Sequence, residues 1–456
     1  MNRLLLAVCV LLLITRSLPA QDGPRPEADL RIEQLVGSIS VDRLRQLLTT
    51  LTSFGTRSTL SNPLSLTRGI GAARQWIFDE LSRSTPKLQV SLDTYRLAPQ
   101  GRVTRELELH NVMAILPGRS ARRIYVTAHY DSLNIPGQTA AVVTPVPPPP
   151  GFSAMEQPGQ DYDVDAPGAD DNGSGTVLAM ELARRFAESG IDFDATLVFM
   201  LLAGEEQGLV GSRAHARRIT ADGVVVEAVF NNDIVGGSRG GNGVVNSGSV
   251  RVYSEGPEDS MSRSLARYIR RVSAVYVPSH GIRLMARPDR FSRGSDHSSF
   301  NQFGYPAIVF RESNENLDRQ HTASDTLDGV DFAYLAQNAR VNAAAIAALA
   351  LAPPAPAVTS ERGQPLIGRQ PSGYDANLRW VASPGAVAYR VYWRDAWEND
   401  WQHQQLVGNV TQFVLRQVSI DDVVIGIAAV DASGHESLVS VYVAPSRRDP
   451  DIKLAN

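Results

Sequence analysis

Apolar residues recur at helical spacing over Val41–Leu51 (Leu44, Leu47, Leu48, Leu51) and again over Ala72–Leu81, predicting two amphipathic helices. From about residue 88 the pattern changes. Short β-rich runs at Ile124–Ala128, Thr196–Ala203, Ala228–Phe230 and Ala307–Phe310 alternate with helical stretches, one of them near 175–188. Alternation of this kind predicts an α/β fold: a three-layer α/β/α domain with a central, largely parallel mixed sheet. The Ala-rich stretch Asp331–Ala352 closes it as a helix. Beyond the stiff linker Ala352-Pro353-Pro354-Ala355-Pro356 the helical pattern disappears. Ala376–Trp380, Ala388–Tyr392, Gln412–Leu415, Val423–Val430 and Leu438–Val443 read as short alternating strands, enough for a small all-β sandwich.

The first twenty residues follow a different pattern. Arg3 precedes the apolar run Leu4–Ile14, and Leu18-Pro19-Ala20 ends in a small residue, the layout of a secretory signal. The run is shorter than the roughly 20 residues a bilayer span needs. The expected division is therefore a signal peptide at 1–20, an unstructured polar lead-in at 21–40 and the α/β domain at 41–352. A Pro-rich linker at 353–370, a β-sandwich at 371–446 and a tail at 447–456 complete it. The mature chain is expected to be secreted or periplasmic, with no transmembrane segment. One long loop interrupts the α/β domain: Val143–Asp165 holds five prolines within Pro145–Pro150, then Asp161, Asp163 and Asp165.

Composition removes several classes of function. The only cysteine, Cys9, lies in the signal, so a disulfide scaffold, a Cys-ligated metal and cysteine catalysis are excluded from the mature chain. Loss of Arg3 and Arg16 with the signal leaves 42 basic against 48 acidic residues, a formal charge of −6. With arginines spread along the whole length, no nucleic-acid partner is expected. All basic residues but Lys87 and Lys453 are arginine, which reads as a coding bias. Gly236–Gly243 lacks the Lys-Ser/Thr ending of a phosphate loop.

The acidic and imidazole groups gather at the ends of predicted strands. Ile124–Ala128 delivers His129-Tyr-Asp131; Asp170-Asp171 stands just before a helix; Thr196–Ala203 leads to Glu205-Glu206; the strand around Phe230 ends at Asp233; and His321 follows Ala307–Phe310. In a parallel sheet the crevice at the carboxyl ends is the default site. So many carboxylates at one edge require cations, and mixed His/Asp/Glu donors suit zinc, with manganese or cobalt also possible. Two metals sharing one carboxylate would satisfy five ligands. Because adjacent side chains point different ways, one glutamate of the pair can bind metal while the other faces substrate as a general base.

His129-Tyr-Asp131, Ala169-Asp-Asp-Asn-Gly-Ser-Gly175, Ala203-Gly-Glu-Glu-Gln-Gly-Leu-Val-Gly-Ser212, Asn232-Asp233, Ser295-Asp-His-Ser-Ser-Phe300 and His321-Thr-Ala-Ser-Asp-Thr326 together resemble the co-catalytic di-zinc peptidases of the aminopeptidase Y and bacterial aminopeptidase S family. The resemblance covers about 41–352. It implies an aminopeptidase acting on peptide or protein substrates with two Zn2+ per chain. His129 and Asp233 would hold one ion, Glu206 and His321 the other, with Asp171 bridging and Glu205 as general base. Asp131 would orient His129, and Asp296 would be a buried or supporting carboxylate. His297 reads as structural. Carboxypeptidase, glutaminyl cyclase and non-catalytic binding readings of the same fold stay open. Two departures stand out: Gln320 occupies the place of an oxyanion-binding tyrosine, and the His129–Asp171 gap is long. Residues 371–445 resemble a fibronectin type III module, whose Trp380, Trp393, Trp397 and Trp401 offer possible contact with a polymer or protein.

Overall fold

A computed structural model describes residues 28–135 and 164–443. The signal, the start of the lead-in, most of the Pro-rich loop and the tail lie outside the described residues. Eight strands form one sheet: β1 (Gln89–Leu97), β2 (Leu107–Leu116), β3 (Arg123–His129), β4 (Thr196–Leu202), β5 (Val226–Asn232), β6 (Ser249–Ser254), β7 (Gly281–Met285) and β8 (Ala307–Glu312). Their spatial order is β1-β2-β4-β3-β5-β8-β6-β7. The middle four, β4-β3-β5-β8, run parallel, whereas β2 joins β4, and β6 joins β8, antiparallel. The sheet is mixed with a parallel centre, as the alternating pattern predicts.

The helices are α1 (Leu30–Gly37), α2 (Val41–Thr52), α3 (Gly69–Ser84), α4 (Gly175–Glu188), α5 (Val210–Ala221), α6 (Met261–Tyr276), α7 (His297–Asn301) and α8 (Phe332–Leu351). They cover both faces. On β4, Leu197, Phe199 and Leu201 enter the core beneath α4 and α8, while Val198, Met200 and Leu202 meet α5 and α7 on the other side. A strand buried on both faces needs a continuous apolar run, and Thr196–Leu202 is one.

Part of the segment read as an unstructured lead-in is helical. In α1, Ile32, Leu35 and Val36 fall at i, i+3 and i+4 and are buried, with Asp29 capping the N-terminus through Arg31 N–H. The partner is α8, which is buried around nearly its whole circumference and therefore needs covering on its outer side. Among the described residues no helix is long and apolar enough to cross a membrane.

After α8, seven strands make two antiparallel sheets. β9 (Ile367–Arg369), β10 (Ala376–Arg379) and β13 (Gln412–Leu415) form one; β11 (Ala388–Asp395), β12 (His403–Leu406), β14 (Val423–Val430) and β15 (Ser440–Val441) form the other. Val358 and β9, inside the stretch read as linker, already belong to this unit, because Val358 is buried with Leu378, Trp380 and Ile427. The unit packs on α6: Arg267 Nε donates to Asn399 O at 2.7 Å, Arg271 meets Glu436 at 3.3 Å, and Leu438 enters the large core.

Candidate metal centre

The carboxyl ends of β3, β4 and β5 meet in one crevice, and His321 comes in from the loop beyond β8. His129 ends β3. Its Nδ1–H donates to the backbone carbonyl of Asp131 at 3.1 Å, which leaves Nε2 facing Asp171 Oδ1 at 3.4 Å and Asp233 Oδ1 at 3.6 Å. The other oxygen of Asp171, Oδ2, is 3.1 Å from His321 Nε2, which also lies 3.3 Å from Glu206 Oε2. Asp171 thus faces a different imidazole with each oxygen. Asp170 turns away to accept from Gly236 N–H at 2.8 Å.

These donors fit a pair of small divalent cations. Ligands about 2.0–2.1 Å from a tetrahedral zinc stand roughly 3.3 Å apart along each edge, and the four separations above run from 3.1 to 3.6 Å. The donor atoms of His129/Asp171/Asp233 and of Asp171/Glu206/His321 form two compact groups that share Asp171. Glu206 Oε1 is buried and accepts no hydrogen bond. Buried acceptors without donors are costly, and a cation satisfies them.

The electrostatics agree. Burial, then the charges of Asp171 and other acids, push Glu206 well above the usual carboxylate range. Glu205 is raised likewise, by burial first and then by Glu206 and Asp233, with His129 opposing. For Asp171 burial works upward, but hydrogen bonds to His129 and His321 outweigh it and hold the group well below normal. Burial also opposes the charge of His129, yet Glu205, Asp131, Asp171 and Asp233 keep its pKa well above the ordinary value. The crevice selects for positive charge.

The carboxylate of Asp131, 3.5 Å from His129 Nδ1, mainly serves the glutamate turn. It accepts from Glu205 N–H at 3.3 Å, Glu206 N–H at 3.2 Å and the Thr59 hydroxyl at 3.0 Å. Asp296 is fully buried, joins neither donor group, and is pushed up to about 7 by burial. His297 is structural: its Nε2 donates to Pro288 O at 2.9 Å. Gln320 accepts from Arg293 and donates to Glu315.

Four supports were not legible beforehand. Asp325 accepts from the N–H groups of Asp170 and Asp171, both at 2.9 Å; it lies in the quoted His321 motif, without a role. Arg311 reaches Asp233 Oδ1 at 2.9 Å, and the Ser295 hydroxyl donates to Asp233 Oδ2 at 2.5 Å. Arg57, fully buried, donates to Tyr130 O and Gly168 O, joining the end of β3 to the Asp171 turn. Two glycines permit this turn. Gly168 has φ of +52°, and a Cβ there would meet Asp171 O at 2.6 Å; at Gly175 it would lie 2.2 Å from Asn232 O.

A cavity of about 340 Å³ opens over the donors and Glu205. Of the six non-glycine residues with positive φ among the described residues, four (Leu209, Ile234, Ser292, His321) line it. Backbone strain of this kind concentrates at functional sites. A larger groove of about 1060 Å³ beside Tyr130 and Ala203 is lined by none of the residues of the two donor groups.

Carboxylates packed this closely around imidazoles define a protein built to hold divalent cations. The chain belongs to Peptidase family M28, whose sequence pattern matches residues 111–346. A probable zinc metalloprotease from Pyricularia oryzae is 34% identical over 453 residues, covering 90% of this chain and 84% of the relative. The LapA aminopeptidase of Legionella pneumophila shares the fold, with TM-score 0.53 and 20% identity over 72% of this chain and 76% of that one. So does the glutaminyl cyclase of Porphyromonas gingivalis, with TM-score 0.51 and 18% identity over 68% and 98%. The protein is a zinc metallopeptidase of this family.

Proposed function

We propose that the protein is an exported exopeptidase with two zinc ions per chain that removes N-terminal residues from peptides. The observation that carries this reading is Asp171 placed between two imidazoles, with Glu205 beside them on the wall of one cavity. His129, Asp233 and Asp171 would hold one ion; Asp171, Glu206 and His321 would hold the other. Zinc so bound supplies Lewis acidity to the scissile carbonyl and the attacking water. Glu205 takes a proton from that water and passes it to the leaving amine. Asp131 keeps Glu205 and Glu206 on opposite duties by fixing both backbone N–H groups. Export rests on the signal pattern, and the two small sheets fit a fibronectin type III-like module.

Glu205→Gln tests the assignment. Turnover of amino-acyl substrates is expected to fall by about 10²–10⁴-fold or more, with zinc content, measured by metal analysis, unchanged. A fully active variant would overturn it. Running carboxy-terminal and N-terminal glutaminyl substrates beside them, with and without chelator, separates the aminopeptidase reading from its relatives in fold.

A further inference from the structure

The acids on the cavity wall are Asp171, Glu205, Glu206 and Asp233, all within the centre just described; the other charged residues lining it are Arg102, Arg290 and Arg293. Two of these arginines have structural duties. Arg102 donates to Glu206 O at 2.7 Å, and Arg290 is paired to Glu315 at 2.5 Å and Asp289 at 3.3 Å. Arg293 differs. Its Nη1 donates to Gln320 Oε1 at 2.9 Å, and among the described residues its Nε and Nη2 have no acceptor and it makes no ion pair.

Its position is built rather than incidental. Gln320 is itself buried and fixed by donating through Nε2 to Glu315 Oε2 at 3.2 Å, and it directly precedes His321. Glu315 is held by Arg251 and Arg290, both at 2.5 Å. A guanidinium clamped at one nitrogen, with its Nε/Nη2 edge uncommitted beside the donors, matches a carboxylate through two parallel hydrogen bonds. Burial and the nearby charges of Arg290 and Arg311 disfavour its charge, and the carboxylates of Asp171 and Glu315 favour it.

We infer that Arg293 makes this cavity a receptor for a substrate carboxylate, either an acidic side chain or the free C-terminus of a short peptide. The inference rests on the peptidase reading for its substrates and adds which of them are preferred.

The test uses the full zinc-loaded chain and two matched pairs. One pair is aspartyl against asparaginyl anilide; the other is a dipeptide with a free against an amidated C-terminus. A charge-assisted contact predicts KM about tenfold or more lower for the carboxylate member of one pair, and that pair identifies the source. Arg293→Gln should erase the difference by raising that KM far more than its neutral partner's, and Arg293→Lys should restore part of it. Two results would overturn the inference: no preference in either pair, or equal loss of kcat on all four substrates, which would assign Arg293 to the oxyanion. Calorimetric titration of the carboxylate dipeptide separates the two readings. Binding that weakens in Arg293→Gln, without hydrolysis of any substrate, would overturn the peptidase reading and uphold the receptor.

Discussion

Asp325 shows how much of the candidate metal centre rests on residues outside its donor set. Its carboxylate accepts the N–H groups of both Asp170 and Asp171, fixing the turn that presents the shared carboxylate. Asp325→Ala strands the buried N–H of Asp171 at about 1–3 kcal/mol and frees the part-buried N–H of Asp170. Zinc affinity should fall about 10–100-fold, as for other supports of ligands; denaturant unfolding and competition with a chelating dye measure the two effects. The candidate ligands were legible because each closes a strand pattern or sits in a compact motif. Their supports were not. Arg57 is 111 residues from Gly168, and Arg311 is 78 from Asp233, so only the folded chain shows the pairing. Arginine abundance also conceals position: Arg57, Arg311 and Arg394 are among the largest fully buried side chains, although the composition reads as a coding bias. Their planar forks hold several oxygens in a fixed geometry, whereas lysine offers a compact point charge.

At the scale of elements, the parallel centre was readable because β3, β4, β5 and β8 are apolar on both faces. β7, β9 and β12 lie at sheet edges and β6 next to one; all carry polar residues at exposed or half-buried positions and leave no such run. The helix α1 was hidden by its brevity, and its cap now shows a titratable joint. His435, on the turn after β14, lies 3.0 Å from Asp29 and 2.9 Å from Asp431. Burial lowers the pKa of His435, but the two carboxylates outweigh it and raise it above normal. Its stabilisation is full below the unfolded value of about 6.5 and lost as pH rises through the higher folded value. Asp29, held down to about 2 chiefly by Arg31, contributes above its unfolded value and loses that only in strong acid. The thermal midpoint should therefore decline as pH rises above about 6.5, and His435→Gln should flatten that decline in melts between pH 5 and 9.

For the whole molecule, the β module is part of one packed body. Arg394 pairs with Asp259 at 3.2 Å, Arg270 with Asp400 at 3.3 Å, and Arg271 lies over the Tyr392 ring at 4.9 Å. Of the tryptophans, Trp380 is core, Trp401 packs on Tyr392 near the seam, and Trp397 is 74% exposed. A chain ending at Ala352 uncovers α6 and loses Leu438 from the core. Its midpoint should drop by roughly 5 °C or more in calorimetry, and an unchanged midpoint would show that the seam adds nothing.

The pairing of α1 with α8 sets the order of events during synthesis. Helix α8 is the last element of the eight-stranded unit and lies against one of the earliest described segments. A ribosome adds residues one at a time, and domains fold as units once their parts are present. Until residue 351 has emerged, Ile32 and Leu35 lack the helix that covers them. The eight-stranded unit is therefore complete only when its final helix arrives.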